Sequence, residues 1–363
     1  MAASLMVVVG GCFADRLYRG LQPTPIPTEP APEGLASVSA QTCRACHTEI
    51  YEEWSASGMG QAFTDPVFQA DWAHQRQFYY CLSCHAPLEA QQPTRVTGLS
   101  SIAPPTPIET PNPHFSAALQ QEGVTCVACH LQAGAMVGPH EVMAPHPTRA
   151  DPSFSEAKTC ERCHQMPDIP FTRSDRPLTD THAEWEEWKR ITQRTETCTD
   201  CHMPPVERSS APGAPVRQGR RHTFPGGWSD ELVRSAVDVG SPVATPRGLE
   251  VTLRNMSGHR LPSGEPGRSL QVRAAFRDIE GRVIGEVVHA IERRVRLPSG
   301  KELGDNTLLP AEERTIVLEY PDGLQPARAS VVVEFDRLAN LGSAHHLKTE
   351  KRVVEVRQFD MSI

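Results

Sequence analysis

The sequence predicts an α+β protein of two domains, an irregular domain made mainly of helix and coil followed by an antiparallel, immunoglobulin-like β-sandwich. Two observations predict this division. Between Cys43 and His202 one pentapeptide occurs five times, and proline-rich stretches between the copies exclude regular helix there. From Leu249 onward the pentapeptide is absent, and short runs alternate apolar and polar residues, which is the period of half-buried strands.

The repeated pentapeptide is Cys-x-x-Cys-His, and we number its copies motif 1 to motif 5: Cys43–His47, Cys81–His85, Cys126–His130, Cys160–His164 and Cys198–His202. The paired thiols are Cys43 and Cys46, Cys81 and Cys84, Cys126 and Cys129, Cys160 and Cys163, and Cys198 and Cys201. The histidines are His47, His85, His130, His164 and His202. In this pattern two thioether bonds hold the edge of a haem, and the adjacent imidazole binds the iron. The sequence therefore predicts five covalently attached haem c groups, which makes the first domain a pentahaem domain.

Paired cysteines also serve as zinc ligands or redox dithiols, which is the alternative interpretation of the motifs. Zinc sites need two cysteine pairs that converge on one ion, whereas here a histidine follows each pair directly. The motifs use ten of the eleven cysteines. This regularity favours haem attachment over zinc.

The composition agrees with a domain whose core is partly cofactor. Hydrophobic residues, counted without glycine, make up 39% of the chain, which is at the lower end for soluble domains. A large apolar macrocycle can substitute for side chains in such a core. The formal net charge is −8, so nucleic acid is not an expected partner.

The N-terminal residues predict export, which covalent haem attachment requires because it takes place outside the cytoplasm. Residues 1–12 resemble the end of a lipoprotein signal, with Val9-Gly10-Gly11 as a lipobox and Cys12 as the lipid anchor. Unlike a typical signal, the residues before Cys12 include no Lys or Arg. A secretory signal that is removed together with Cys12 is the alternative. Residues 13–40 predict a proline-rich, extended tether. The expected location is extracytoplasmic, in the periplasm or at the cell surface, as a membrane-anchored lipoprotein.

The predicted domains are residues 41–226 for the haem domain, 227–247 for a connecting helix or linker, and 248–363 for the β-sandwich. The best helix candidate of the haem domain is Asp180–Arg194, where Trp185 and Trp188 are three residues apart. The strand candidates are Leu249–Asn255, Leu270–Arg277, Arg282–Ile291, Thr315–Tyr320, Ser330–Phe335 and Arg352–Val356.

Each motif supplies one axial ligand, so up to five sixth ligands remain to be assigned. Ten histidines lie outside the motifs, an excess that favours mostly bis-histidine coordination, which closes the iron and gives a low potential. A methionine ligand raises the potential. Met59 follows His47 by 12 residues; in a continuous helix the two would be ~18 Å apart and could not bind the same iron.

Five segments resemble a bacterial multihaem cytochrome family: Glu122–His130, Thr181–Trp185, Cys198–Pro204, His222–Gly227 and Asn255–Gly264. That family is similar in haem arrangement to the pentahaem nitrite reductase and hydroxylamine oxidoreductase lineage, and its members can carry a C-terminal β-domain. The resemblance covers nearly the whole chain from Gln41. It implies His146, His222 and His259 as distal ligands. It also implies Met59 as a substitute for a histidine that the family often has near this position.

These features predict an electron-transfer protein in which closely packed haems relay single electrons. The expected partners are redox proteins, either other cytochromes or a membrane oxidoreductase. The alternative is a multihaem oxidoreductase that acts on a small inorganic nitrogen or sulfur compound at one open-site haem. The Cys-x-x-Cys-Lys motif common in nitrite reductases of the lineage is absent, and no other catalytic residues are predicted. An adhesive or assembly role with structural haems is a third class.

Overall fold

The structure is a computed structural model that describes residues 24–102, 105–166, 174–296, 300–322, 326–340 and 353–363. The predicted signal, Cys12 and the first part of the predicted tether lie outside these residues. The fold contains helices and antiparallel sheets, so the α+β prediction is confirmed. The chain forms two compact units: unit 1 comprises Met1–Thr172 and Glu196–Pro225, and unit 2 comprises Arg173–Thr195 and Gly226–Ile363.

Unit 1 carries all five motifs, each on a short helix or helical turn. The motif helices are Ala40–Arg44, Leu82–His85, Cys126–His130, Lys158–His164 and Cys198–His202. Thr48–Ser55, Pro66–His74 and Ala117–Gln120 form other α-helices, and Tyr79–Cys81, Glu89–Gln91 and Pro152–Ser155 form 3₁₀ turns. The two cysteines of each motif are three residues apart, so a helical turn brings both to one side, where a single macrocycle edge can meet them.

Short strands complete unit 1. They are β1 (Thr94–Ile102), β2 (Pro105–Pro111), β3 (Leu131–Gln132), β4 (Ala135–Gly138), β5 (Thr148–Ala150), β6 (Pro205–Ser209) and β7 (Val216–Arg220). β1 with β2 and β6 with β7 are antiparallel hairpins, and β3, β4 and β5 form one small sheet. The buried apolar clusters around Leu88 and Phe63 contain only a few side chains each. Such clusters agree with a unit in which macrocycles contribute to the core.

Residues 24–32 contain no helix, residues 33 and 34 form a turn, and the stretch 24–39 packs on the rest of unit 1. Ile26 forms a parallel bridge with Leu88, and the Glu29 carboxylate accepts hydrogen bonds from the backbone N–H groups of Ala133 and Gly134. Gly34 adopts φ +83°, and the carbonyl oxygen of Pro145 lies 2.0 Å from the position that a Cβ would take. This stretch therefore differs from the predicted tether, because its backbone and Ile26 find partners in unit 1.

The described residues of unit 2 form nine strands: β8 (Val237–Val239), β9 (Val243–Thr245), β10 (Gly248–Asn255), β11 (Ser269–Arg277), β12 (Val283–Arg296), β13 (Lys301–Asp305), β14 (Glu313–Glu319), β15 (Arg328–Asp336) and β16 (Val353–Ser362). One sheet has the order β14-β10-β8, with β9 also paired to β10, and the other has the order β13-β12-β11-β15-β16. All of these pairings are antiparallel.

A large hydrophobic core of unit 2 combines described side chains from both sheets. Leu249, Val251 and Leu253 of β10 face it at every second position, as do Val272 and Phe276 of β11. Fully burying a side chain of this size contributes roughly 1.5–3 kcal/mol. Unit 2 therefore has an ordinary side-chain core, unlike unit 1.

Residues 173–195 belong to unit 2, although the sequence places them within the haem domain of residues 41–226. A buried polar contact joins this stretch to the rest of unit 2. Glu184, on the Thr181–Thr192 helix, is 3% exposed and accepts hydrogen bonds from Arg176 Nη1 at 2.6 Å and from the backbone N–H of Arg260 at 3.2 Å. Ser263 Oγ donates to the same carboxylate.

The predicted linker of residues 227–247 also belongs to unit 2. Its first part is the Asp230–Ser235 helix, which agrees with the predicted connecting helix. The remainder forms β8 and β9, which both pair with β10. In the part of the chain that the structure describes, no helix is both long and apolar enough to cross a membrane.

Candidate functional site

The five motifs are not arranged in space in their chain order. The thiols of Cys43 in motif 1 and Cys126 in motif 3 are close enough to shift each other's pKa, lowering that of Cys43 and raising that of Cys126. Motif 4 has two such partners: Cys163 shifts the pKa of Cys84 in motif 2, and Cys160 interacts in the same way with Cys198 of motif 5. Groups attached through these sulfurs would be direct neighbours.

Motifs 3 and 4 are also close together. Cys129 of motif 3 interacts electrostatically with Cys163 of motif 4. The resulting neighbour pairs are 1 with 3, 3 with 4, 4 with 2, and 4 with 5. All five attachment sites therefore form one connected cluster within unit 1, and motif 4 has the most neighbours.

The environments of the motif thiols differ, because a neighbouring cysteine lowers the pKa of Cys43, Cys163 and Cys198, whereas burial raises that of Cys81 and Cys129. Burial raises the pKa of Cys81 to about 12 and the pKa of Cys129 to about 11. Zinc ligation and redox dithiols need the thiolate, which such environments oppose. Among the residues that the structure describes, no group of three or more His, Cys, Asp or Glu side chains is placed to hold a metal ion.

Four of the motif histidines share one hydrogen-bonding pattern. His47 Nδ1 lies 2.8 Å from the Ser210 carbonyl oxygen and His85 Nδ1 lies 2.7 Å from that of Ala62. The same contact joins His130 Nδ1 to Val137 O at 2.8 Å and His202 Nδ1 to Pro225 O at 2.5 Å. Because a carbonyl oxygen only accepts, Nδ1 carries the proton and Nε2 carries the lone pair. Metal-binding imidazoles are usually fixed in this way.

His222 lies beside a motif histidine. The ring centroids of His222 and His130 are 6.2 Å apart, and their planes are inclined by 28°. An imidazole nitrogen binds a first-row metal at about 2.0 Å and is about 1.2 Å from its ring centre, so two imidazoles on opposite sides of one ion have centroids about 6.4 Å apart. His222 Nδ1 is 3.1 Å from the Arg220 carbonyl oxygen, which again places the lone pair on Nε2. The pair has the spacing that one iron between the rings requires.

Burial keeps these imidazoles neutral. It lowers the pKa of His222 to about 4, with a further contribution from the nearby His130. The pKa of His85 and the pKa of His130 are also lowered, chiefly by burial. Because only the neutral ring offers a lone pair, these environments suit metal ligation.

Met59 and His146 both lie in unit 1. The helix that follows motif 1 ends at Ser55, so Met59 is in a turn and the distance expected for a continuous helix does not apply. Its carbonyl oxygen accepts a hydrogen bond from Val124 N at 3.0 Å, just before motif 3. His146 is half-buried, and its Nδ1 is 3.4 Å from the neighbouring Pro147 carbonyl oxygen. The contacts of these two residues do not assign either to an iron.

His259 is in unit 2, in the loop between β10 and β11, whereas the motifs are in unit 1. Its Nδ1 is 2.7 Å from the Arg260 carbonyl oxygen, and its own carbonyl accepts a hydrogen bond from Asn255 Nδ2 at 2.8 Å. His259 therefore has the same Nδ1–carbonyl contact as the motif histidines, and its assignment as an iron ligand stays a prediction.

The sequence does not single out one side chain of this site, Glu53. Its carboxylate accepts hydrogen bonds from both Arg208 Nη atoms at 2.8 Å, from Arg221 Nη1 at 2.9 Å and from the backbone N–H of His222 at 2.9 Å. Glu49 and Glu52 lie in the same short segment, so nothing in the sequence distinguishes Glu53 from these other acidic residues. The backbone carbonyls that hold the motif imidazoles were not predictable either, because any residue type can supply them.

Comparisons with known proteins give one match. No family model matches the chain, and no curated protein does. Among solved structures, the crystal structure of a penta-heme cytochrome c552 from Thermochromatium tepidum is similar, with a TM-score of 0.67 and 19% sequence identity. The likeness covers 92% of this chain and 100% of that chain. At this identity it establishes a shared fold.

Proposed function

We propose that this chain is a pentahaem c-type cytochrome that relays electrons through haems attached at motifs 1 to 5. The observation that carries the proposal is the proximity of cysteines of different motifs, at Cys43 with Cys126, Cys84 with Cys163, and Cys160 with Cys198, where the two thiols of each pair shift each other's pKa. The fold shared with a penta-heme cytochrome supports it.

The residues of unit 1 contribute placement and tuning. When bound, haem c supplies reversible one-electron chemistry at its iron. Haems attached at these neighbouring cysteines would have their edges close together, and electron exchange between centres becomes faster as their separation decreases. The buried carbonyl contacts of the imidazoles set the tautomer and ring orientation, which tunes each iron.

The neighbour pairs describe a branched route. Motif 3 joins motif 1 to motif 4, and motif 4 also adjoins motifs 2 and 5. An electron entering at motif 1, 2 or 5 therefore passes motif 4 to reach either of the other two. Partner redox proteins, other cytochromes or a membrane oxidoreductase, would exchange electrons at these outer sites.

The pairing of His130 with His222 supports a relay rather than catalysis at motif 3. Two imidazoles would occupy both axial positions there and leave no position for a substrate. We retain His146, His259 and Met59 as proposed distal ligands of other irons. Also proposed are extracytoplasmic export, the lipid anchor at Cys12, the relation to the nitrite reductase and hydroxylamine oxidoreductase lineage, and the immunoglobulin-like character of unit 2.

The decisive experiment is expression with a haem-maturation system. The matured protein is expected to exceed the 39.9 kDa polypeptide by the mass of five haems and to have a Soret band, and a Cys126→Ser, Cys129→Ser double variant should lose one haem. The reduced protein should not react with carbon monoxide. A protein that weighs no more than its polypeptide would refute the proposal. A carbon monoxide-reactive haem with activity on nitrite or hydroxylamine would support the oxidoreductase instead.

A further inference from the structure

One stretch of chain, the 205–225 segment that follows motif 5, contacts the axial imidazoles of three motifs. The Ser210 carbonyl oxygen accepts from His47 Nδ1 of motif 1, and the Pro225 carbonyl oxygen accepts from His202 Nδ1 of motif 5. Between them in the chain, His222 places its ring 6.2 Å from that of His130 in motif 3. Three attachment sites thus depend on the position of one segment.

The segment has a regular internal structure. β6 and β7 pair over five residues each, from Pro205 opposite Arg220 to Ser209 opposite Val216. At the turn, Ser209 Oγ donates to the carbonyls of Ala211 and Ala214 at 2.6 and 2.8 Å. This hairpin fixes the Ser210 carbonyl, so movement of the hairpin moves the contact to His47.

Glu53 fixes the segment to the helix that follows motif 1. The two hydrogen bonds from Arg208 form a bidentate ion pair, and the carboxylate and the guanidinium are only 12% and 11% exposed. Charge-assisted bidentate contacts are among the strongest hydrogen bonds in proteins and impose a definite geometry. The same carboxylate also accepts a hydrogen bond from the backbone N–H of His222. Glu53 therefore fixes both the hairpin and the main chain that carries the His222 imidazole.

We propose that the 205–225 segment is a shared positioning element for the axial imidazoles of motifs 1, 3 and 5, and that Glu53 is the positioning residue that sets it. This inference rests on the proposed function, because its consequence is coordination at three irons. Loss of the Glu53 carboxylate leaves the poorly exposed Arg208 guanidinium paired with the exposed Glu49 carboxylate at 3.8 Å, a weaker partner, which is unfavourable. The segment would then shift as a whole, and three haems would change together.

The test compares the matured full-length chain with Glu53→Ala, His222→Ala and the control Glu52→Ala, an exposed position on the same helix. Haem content is measured by mass spectrometry, and individual haems by electron paramagnetic resonance and spectroscopic redox titration. Glu53→Ala is expected to change the signals and potentials of three haems, His222→Ala those of one, and Glu52→Ala those of none.

Two milder variants distinguish a shift of the segment from unfolding of the protein. Arg221→Ala removes a donor that is 49% exposed and keeps the Arg208 pair, so it should move the same three signals by less. Glu53→Asp retains the charge and should partly restore the wild-type spectrum. The inference is wrong if wild type has five haems and Glu53→Ala alters only one or none of them. Wild-type protein without haem would instead refute the proposed function.

Discussion

His130 and His222 lie far apart in the chain, yet their imidazole centroids are 6.2 Å apart. Each ring contacts a backbone carbonyl through Nδ1, at Val137 for His130 and at Arg220 for His222. Both lone pairs are thereby assigned to Nε2. The two residues form an imidazole pair with the spacing of a bis-histidine iron site, and the predictions begin with it.

Replacing His222 with alanine should open the distal position at motif 3. One haem per chain is expected to become high-spin and to bind carbon monoxide, because the His130 imidazole would be its remaining protein ligand. Added imidazole should restore the low-spin spectrum. Electron paramagnetic resonance and carbon monoxide difference spectra measure the change.

His114 is the matched control for this substitution, since it is exposed and lies outside the motifs. His114→Ala should leave every haem low-spin. If His222→Ala also leaves all five haems low-spin, His222 is not an axial ligand.

Unit 2 offers a sharp stability test at Arg293. Its side chain is 4% exposed, pairs with Glu302 at 3.0 Å and donates to the backbone carbonyls of Arg176 and Pro177 at 2.7 Å. Arg293→Ala leaves the Glu302 carboxylate, which is 11% exposed, without its ion-pair partner. The free energy of unfolding should therefore fall by about 3–5 kcal/mol. Denaturant unfolding of the full chain, followed by circular dichroism, measures the loss.

The adjacent Arg294 provides the comparison. It pairs with Glu292 but is 55% exposed, so Arg294→Ala should cost about 1 kcal/mol or less. Equal losses for the two substitutions would contradict the view that burial decides the strength of this ion pair.

Acid should weaken unit 2 through Asp305. Burial alone would raise the pKa of this carboxyl, but hydrogen bonds from Thr307 Oγ1 and N and the charge of Arg176 lower it below its ordinary 3.8. A lowered folded-state pKa stabilises the protein above the unfolded-state pKa, and this stabilisation is lost as the pH falls through the folded-state pKa. The loss is therefore expected below about pH 4.

Asp305→Asn should lower the free energy of unfolding at neutral pH and flatten its dependence on pH in that acid range. Unfolding curves at a series of pH values measure both effects. A variant whose pH dependence matches wild type would assign the acid sensitivity to other carboxyls.

Gly34 tests whether residues 24–39 are part of unit 1. Its φ of +83° and the Pro145 carbonyl oxygen 2.0 Å from the position of a Cβ leave no room for a side chain. Gly34→Ala should therefore cost about 1–3 kcal/mol and make the segment easier to cleave in limited proteolysis. Gly58, where a Cβ would meet nothing within 4 Å, is the control, and Gly58→Ala should not increase cleavage. A free tether would tolerate both substitutions equally.

Local patterns predicted much of the fold. The Leu249–Asn255 and Leu270–Arg277 strand predictions correspond to β10 and β11 within one residue, because alternation marks strands that face a side-chain core on one side. Asp180–Arg194 corresponds to the Thr181–Thr192 helix. Its membership of unit 2 was not predictable, since the burial of Glu184 depends on residues that are distant in the sequence.

Of the candidate site, the sequence predicted the motif residues but not the contacts between motifs. The motifs are self-contained, so spacing alone identifies the cysteines and proximal histidines. His222 was predicted as a ligand only through resemblance, and its proximity to His130 follows from the fold. The proximity of Cys43 to Cys126 likewise depends on how loops of irregular length close, which no periodicity in the sequence encodes.

The path of the backbone through the two compact units has a consequence for how such a protein can arise. The chain passes from unit 1 to unit 2 after Thr172, returns after Thr195 and leaves again after Pro225. No single breakpoint in the gene separates the two units, because a cut at any of these positions leaves a segment of one unit attached to the other. Joining two genes end to end would not give this order of segments. We expect that exchanging one unit for another domain would also disrupt the folding of the remaining unit.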